Sequence, residues 1–453
     1  MLSLRIVRRI CAAIDAVAIT CIAAGISKSV KKRDIANYAH SANHHPENFP
    51  TIESCRAALL KKGKIQPPNP QTNNDLGPQD NTNEPAIIRM KKERDPEKLF
   101  SLFQSNAQNR IVVENRFIFE DMVSRLAGAQ RLDLIQQIFE CQIGLPQGRR
   151  EGFVMRIIAL YGRANMPDHA VKTFQEMHLF GCKRTVKSFN ATLKVLSQAS
   201  RFHELCQLFN NAPQIYGIQL DEISYNTLIK VMCEMGSLDS AYRVMLEMGK
   251  SGVKPDVVTY TTLISAFYKN NLRKIGDGLW NLMRLRGCNP TLATYNVRIQ
   301  YLINRHRTFE ANYLVRTMHK LGIKPDEVTY NLIIKGFFIK GEVKMANNVF
   351  YSMSRRGCEP NRKIYQTMVH YLCEERDFGL AFRLCKKSME RNWYPSVDTI
   401  RKLLKGLIAV SKDINASEIM RLVVRRIPRY SSEEIMSFQE IVSRTLMRTE
   451  KGT

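Results

Sequence analysis

Six side chains that could engage the edge of an unpaired nucleobase recur through the middle of this 453-residue chain: Asn190, Asn226, Thr261, Asn296, Asn331 and Gln366. After a first step of 36 residues, each follows the last by 35. An Asn amide offers one donor and one acceptor face, and a Thr hydroxyl serves either way, which is the chemistry a Watson–Crick edge requires. A second polar set, Asp221, Asp256, Thr291, Asp326, Asn361 and Ser396, runs in phase with the first. Each member of the first set is preceded by an aromatic residue: Phe189, Tyr225, Tyr260, Tyr295, Tyr330 and Tyr365. Three residues further on lies an apolar one: Leu193, Ile229, Ile264, Ile299, Ile334 and Val369. A polar column between two apolar columns describes one surface carried on a repeated core.

The elements that must position these columns follow from the same period. Pro255, Pro290, Pro325, Pro360 and Pro395 keep the step of 35, as do Gly252, Gly287, Gly322 and Gly357, and Met248, Met283, Met318 and Met353. Self-similarity at this period marks a stacked repeat array. In 222–256, Tyr225, Leu228, Ile229 and Met232 make one apolar face of a first helix, and Gly236 breaks it. Leu238, Ala241, Met245 and Met248 stripe a second helix, which ends near Gly252 with Pro255 beyond it. Neither helix can hide its stripe alone, so neighbouring units must stack. The phase predicts units at 116–150, 151–185, 186–221, 222–256, 257–291, 292–326, 327–361, 362–396 and 397–431. The third has one extra residue, expected in the loop around "PQIYGIQLD", and the first two and the last are degenerate. Residues 89–115 read as a lead-in helix or partial repeat and 432–453 as a capping helix and tail.

A formal net charge of +26 points to a polyanionic partner, nucleic acid before an anionic membrane surface. A hydrophobic fraction of 44% is ample for a core. Cys182, Cys288 and Cys358 share one repeat phase, and no Cys-x-x-Cys occurs, so the cysteines read as small apolar residues in a reducing compartment rather than as metal ligands. The first 32 residues set Arg5, Arg8 and Arg9 opposite Leu2, Ile6 and Ile10 with no acid before Asp15, the pattern of an organellar targeting peptide. Mitochondria are expected ahead of plastids, because arginine outweighs serine and threonine. The apolar stretch 10–25 is short for a membrane span, so no membrane partner is expected. Residues 33–88 are rich in Asn, Pro, Gln and Asp and read as a disordered polar linker.

Paired helices at this period suggest tetratricopeptide repeats first, but the tryptophan and Leu-Gly signature of those is missing. The phrase V-x-T-Y-N-x-L-I, followed by G-x-x-x-x-A and then M-x-x-x-G-x-x-P-[DN], instead resembles the pentatricopeptide repeat in its P-type form of 35 residues. The resemblance covers 116–431 and is strongest over 186–396. It implies an all-α fold, a right-handed superhelical solenoid of about nine helix-turn-helix units, acting as a monomer on single-stranded organellar RNA at one base per repeat.

In that family, position 5 and the last residue of a unit together select the base, and position 2 wedges against it. Carried over, Asn190 with Asp221, Asn226 with Asp256 and Asn296 with Asp326 resemble uracil readers. Asn331 with Asn361 resembles a pyrimidine pair, Thr261 with Thr291 leans to purine, and Gln366 with Ser396 has no assignment. Ile223, Val258 and Val328 would wedge bases, whereas Lys187, Ala293 and Lys363 depart from the aliphatic pattern. Of the position-13 residues only Lys269 is the lysine expected to meet phosphate. The implied core is 5′-U-U-(purine)-U-Y-3′. A plainer reading stands beside it: Asp256 or Asp326 could simply cap the next helix, as could an Asn near a helix start. Capping accounts for either column alone but not for both staying polar together.

No catalytic constellation, metal site or cofactor motif is found; some family members carry a deaminase-like module, but its Cys-x-x-Cys is missing. Three functions remain. The first is a transcript-binding factor acting in stabilisation, processing or translation through a short U-rich site. The second is a component of the plant mitochondrial ribosome that grips ribosomal RNA and neighbouring proteins. The third is a protein-binding scaffold.

Overall fold

The computed structural model describes residues 85–427 and 429–449. The expected targeting segment, the linker as far as residue 84 and the last four residues lie outside the described residues. All regular structure among the described residues is helical. The described residues divide into two compact bodies, one ending at Leu263 and the other beginning at Ile264. The division falls within the helix Val257–Lys269.

In the first body, three short helices, Ala86–Lys92, Pro96–Ser105 and Arg110–Glu114, precede four helix pairs. These are Arg116–Gly128 with Leu132–Gly144, Glu151–Arg163 with Pro167–Glu176, Val186–Gln198 with Phe202–Tyr216, and Glu222–Glu234 with Leu238–Lys250. In the second body, Arg273–Leu285 is followed by Leu292–Asn304 with Thr308–Lys320, Glu327–Ile339 with Val343–Arg355, Arg362–Glu374 with Phe378–Glu390, and Val397–Ala409 with Asp413–Val424. Within each body the first helix of a pair packs both on its own partner and on the first helix of the next pair. Each body is therefore a solenoid of stacked hairpins. A last helix, Ser432–Thr449, packs on both helices of the preceding pair.

The phased residues account for this stacking. The position-4 rings and position-8 aliphatic residues are buried in every unit from 186 to 396, as are Met248, Met283, Met318 and Met353. Each such side chain taken from water contributes about 1.5–3 kcal/mol. Ala241, Ala311, Ala346, Ala381 and Ala416, all at the same phase of the second helix, are fully buried, where a larger residue would hold the two helices apart. The second helix ends in a left-handed glycine at Gly252, Gly287, Gly322 and Gly357, with φ between 75° and 82°. The following N–H reaches back to the methionine carbonyl, as from Ile323 to Met318 at 2.9 Å.

Two expectations need correction. The composition places the linker through residue 88, but the helix Ala86–Lys92 already includes 86–88. Arg125 explains the early start: its guanidinium donates to the Met90 carbonyl at 2.8 Å and to that of Glu93, tying down the end of this helix. The extra residue of 186–221 is not loop; it is absorbed by the helix Phe202–Tyr216, which runs 15 residues against 13 for Leu238–Lys250. Pro213 sits inside that helix and Gly217 closes it with φ 62°.

Candidate nucleic-acid interface

The position-5 residues project from the first helix of each pair, one turn after its N-cap, where the next unit's cap comes within hydrogen-bonding reach. In the first body, Asn190 Nδ2 donates to both carboxylate oxygens of Asp221 at 2.9 and 3.1 Å. Asn226 Nδ2 donates to Asp256 Oδ1 at 3.1 Å. In the second body, Asn296 Nδ2 donates to Asp326 Oδ1 at 3.3 Å. The structure therefore joins the two polar columns side chain to side chain in three units.

The same carboxylates cap helices, so capping and pairing are one arrangement rather than rival readings. Asp221 Oδ1 accepts the Ser224 N–H at 2.9 Å. Asp256 and Asp326 Oδ1 accept those of Thr259 and Thr329, both at 2.8 Å. Burial alone would raise the pKa of Asp256, but hydrogen bonds from the Thr259 backbone, the Thr259 hydroxyl and Asn226 outweigh it and hold the carboxyl below its ordinary value. Asp326 is lowered in the same way, with Thr329 and Asn296 overcoming the desolvation.

A third member of each cluster escaped the sequence reading: the hydroxyl at position 3 of the following unit. Ser224, Thr259 and Thr329 each donate to the Oδ1 of Asn190, Asn226 and Asn296, in every case at 2.6 Å. The signal was present, since Ser or Thr stands at 188, 224, 259, 294, 329 and 399, but a buried hydroxyl at that phase resembles ordinary core.

Two of the remaining expected pairs differ. Asn361 caps its helix by accepting the Ile364 N–H at 3.1 Å, but no hydrogen bond joins it to Asn331, whose Oδ1 is buried without a partner. Gln366 donates to the Tyr394 carbonyl at 3.1 Å instead of meeting Ser396, whose Oγ accepts the Thr399 N–H. Thr261 is half-buried on its helix in the first body. Thr291, in the second, is exposed, and its N–H donates to Thr294 Oγ1 at 3.2 Å.

Ile223, Val258 and Val328 are 61%, 56% and 55% exposed, aliphatic side chains held in water beside the polar clusters. Exposed large apolar groups of this kind, next to hydrogen-bonding groups, suit a planar ring that is apolar on its face and polar on its edge. In the second body a groove of about 720 Å³ gathers Asn296, Asn331, Val328, Lys269 and Lys363 on one wall system. Tyr268 and Tyr301 also line it; their rings stack at 4.3 Å, and the Tyr268 hydroxyl donates to Asp277 at 2.7 Å. A neighbouring groove of about 710 Å³ shares Asn331 and carries Lys335, Arg362, Lys363 and Arg426 against a single acid, Glu434. Its charge favours a polyanion. Among the described residues, no group of three His, Cys, Asp or Glu side chains could hold a metal ion, and no helix is long and apolar enough to cross a membrane.

The chain is similar in sequence to known proteins. The model of the PPR repeat family matches 220–269, 257–304, 290–339 and 325–368, and a PPR repeat model matches 156–182. A mitochondrial pentatricopeptide repeat-containing protein of Arabidopsis thaliana is 60% identical over 202 residues, 45% of this chain and 51% of that protein. The small ribosomal subunit protein mL103 of the same plant is 34% identical over 200 residues, 44% of this chain and 48% of that protein. The chain thus spans about half the length of the curated relatives it matches. Among solved structures, the pentatricopeptide repeat protein PPR10 from maize gives a TM-score of 0.45 at 18% identity, covering 78% of this chain and 59% of that one. Overlapping matches in a single phase over 220–368, on helix pairs stacked at that same phase, make that part of the chain an array of pentatricopeptide repeats.

Proposed function

We propose that the protein binds single-stranded RNA in the mitochondrion, with Asn190–Asp221, Asn226–Asp256 and Asn296–Asp326 each engaging a uracil. Asn331 with Asn361 takes a pyrimidine. Ile223, Val258 and Val328 lie against the base faces, and Lys269 meets phosphate. The observation that carries this reading is the three-membered cluster of amide, carboxylate and hydroxyl, built alike in three units beside exposed aliphatic residues. A cap alone needs only the carboxylate; the amide is an additional donor and acceptor pair held at the surface. The compartment is inferred from the mitochondrial relative and the arginine-bearing N-terminus. Action is by occupancy: the bound RNA is shielded, or a neighbouring stretch is exposed, with no bond made or broken by the protein.

The test is to sequence what the full chain retains from a random single-stranded RNA pool at near-physiological salt. Enrichment of a core near 5′-UU(purine)UY, lost when Asn226→Ala and Asn296→Ala are combined, is the expected outcome. Retention without any motif would refute base selection. The resemblance to small ribosomal subunit protein mL103 favours a second reading, in which the array grips ribosomal RNA as a component of the mitochondrial ribosome. Co-sedimentation of the protein with ribosomal subunits under conditions that strip free RNA would support it.

A further inference from the structure

Resting on the base-reading proposal, we infer that Ile364 is a specificity-determining residue: by withholding a hydroxyl, it leaves Asn331 free to turn over and accept either pyrimidine. In the three complete clusters the amide is restrained at both ends. Its Nδ2 lies 2.9–3.3 Å from a carboxylate oxygen, and its Oδ1 takes a hydroxyl proton at 2.6 Å. Turning such an amide over would set its carbonyl oxygen against the carboxylate, so one orientation is held. The fourth cluster has lost both restraints. The carboxylate is replaced by Asn361, an amide that can face either end of another amide. The hydroxyl is replaced by Ile364, which is fully buried and has nothing to donate.

The consequence is visible at Asn331. Its Oδ1 is buried and without a hydrogen-bond partner, while its side chain lines both grooves of the second body. A buried acceptor left unpaired costs free energy that a ligand donor can recover. Uracil presents a donor at N3 and an acceptor at O4; cytosine presents the reverse, an acceptor at N3 and a donor at N4. An amide that turns over matches either edge, whereas a restrained amide matches only one. The unit 327–361 is therefore the permissive position of the site, and the cause lies in the first helix of the next unit.

The experiment measures binding of the full chain to RNAs that differ only in U or C, first at the base facing Asn331 and then at the base facing Asn296. The register is assigned with Asn331→Ala and Asn296→Ala. Wild type is expected to bind the two pyrimidines within about twofold at Asn331 and to prefer uracil at Asn296. Ile364→Thr supplies the missing hydroxyl and should move the Asn331 ratio toward uracil by roughly five- to tenfold, the worth of one hydrogen bond. Ile364→Val, equally β-branched but without the hydroxyl, should leave that ratio unchanged. Thr329→Val removes the hydroxyl from the Asn296 cluster at nearly constant volume and should erode uracil preference there by a similar factor, which decides the matter if Ile364→Thr does not fold. Unchanged ratios in both hydroxyl variants, with Asn296 still discriminating, would overturn this inference and leave base reading standing. Loss of discrimination at both registers in wild type would overturn both.

Discussion

Replacing Asp326 separates the two roles that one carboxylate holds. Its Oδ1 accepts the Thr329 N–H at 2.8 Å and Asn296 Nδ2 at 3.3 Å. Asp326→Ala removes the cap, about 0.5–2 kcal/mol, and one hydrogen bond to a half-buried amide, about 0.5–1.5 kcal/mol. A local loss of about 2 kcal/mol is expected, mid-range because Asn296 is open enough to find water. Asp326→Asn keeps an oxygen that caps almost as well and forfeits mainly the interaction of charge with the helix N-terminus, about 0.3–1 kcal/mol. The assay is hydrogen–deuterium exchange of a peptide spanning 326–334, which reports local opening of the helix Glu327–Ile339. Two kcal/mol speeds exchange roughly thirtyfold, so the alanine variant should exchange far faster than wild type and the asparagine variant by severalfold at most. Uracil preference at the Asn296 register should fall in both, because each loses the charged acceptor that polarises the amide. Equal acceleration in the two variants would refute the capping argument. An asparagine variant that binds with full uracil preference would refute the assignment of Asp326 to base selection.

Three further outcomes follow from the geometry. Asp256 and Asp326 have folded pKa values below their ordinary ones, so their contribution to stability is complete above the unfolded value of about 3.9 and is lost as pH falls through the depressed folded values. Thermal melts should therefore weaken as pH falls below about 4, and less so in a chain carrying both Asp→Asn changes. Lys269→Ala should weaken RNA binding equally for all sequences and reduce the slope of log affinity against log salt by about 0.7, measured by titration across a salt series. Arg376 is held at φ 60°, a conformation that costs a non-glycine residue about 1–2 kcal/mol. Arg376→Gly should stabilise the chain by up to about 1 kcal/mol once the added freedom of the unfolded glycine is deducted, read as a rise in melting temperature.

Arg376 also shows where a repeated sequence stops describing its own fold. The turn between the two helices of a unit uses a left-handed residue at its fifteenth position in all nine units, filled by Gln130, Asn165, Ser200, Gly236, Asn271, His306, Gly341, Arg376 and Ser411. Only Gly236 and Gly341 announce it in sequence, because glycine alone occupies that conformation without a Cβ penalty. In the other seven the same backbone falls on residues that carry a Cβ; Asn165, Asn271 and His306 tolerate it better than most, and at Gln130, Ser200, Arg376 and Ser411 packing of the flanking helices imposes it. The degenerate units at 116–150, 151–185 and 397–431 keep the geometry for that reason, with Leu134, Ile158 and Leu403 buried although the phased signature has faded.

The sequence by itself determined the period, the helix pairs, the two polar columns and the exposed aliphatic residues beside them, because each depends on spacing along one helix or on a glycine or proline that acts locally. Tertiary structure alone decided which polar residues meet. Asn190 and Asp221 are 31 residues apart and become partners only when one unit stacks on the next. Asn331 and Asn361, spaced almost identically, do not become partners. What separates the two cases includes a buried side chain at 364, three residues into the following helix, where a core isoleucine and a cluster hydroxyl are equally good at filling space and only one of them can hold an amide in place.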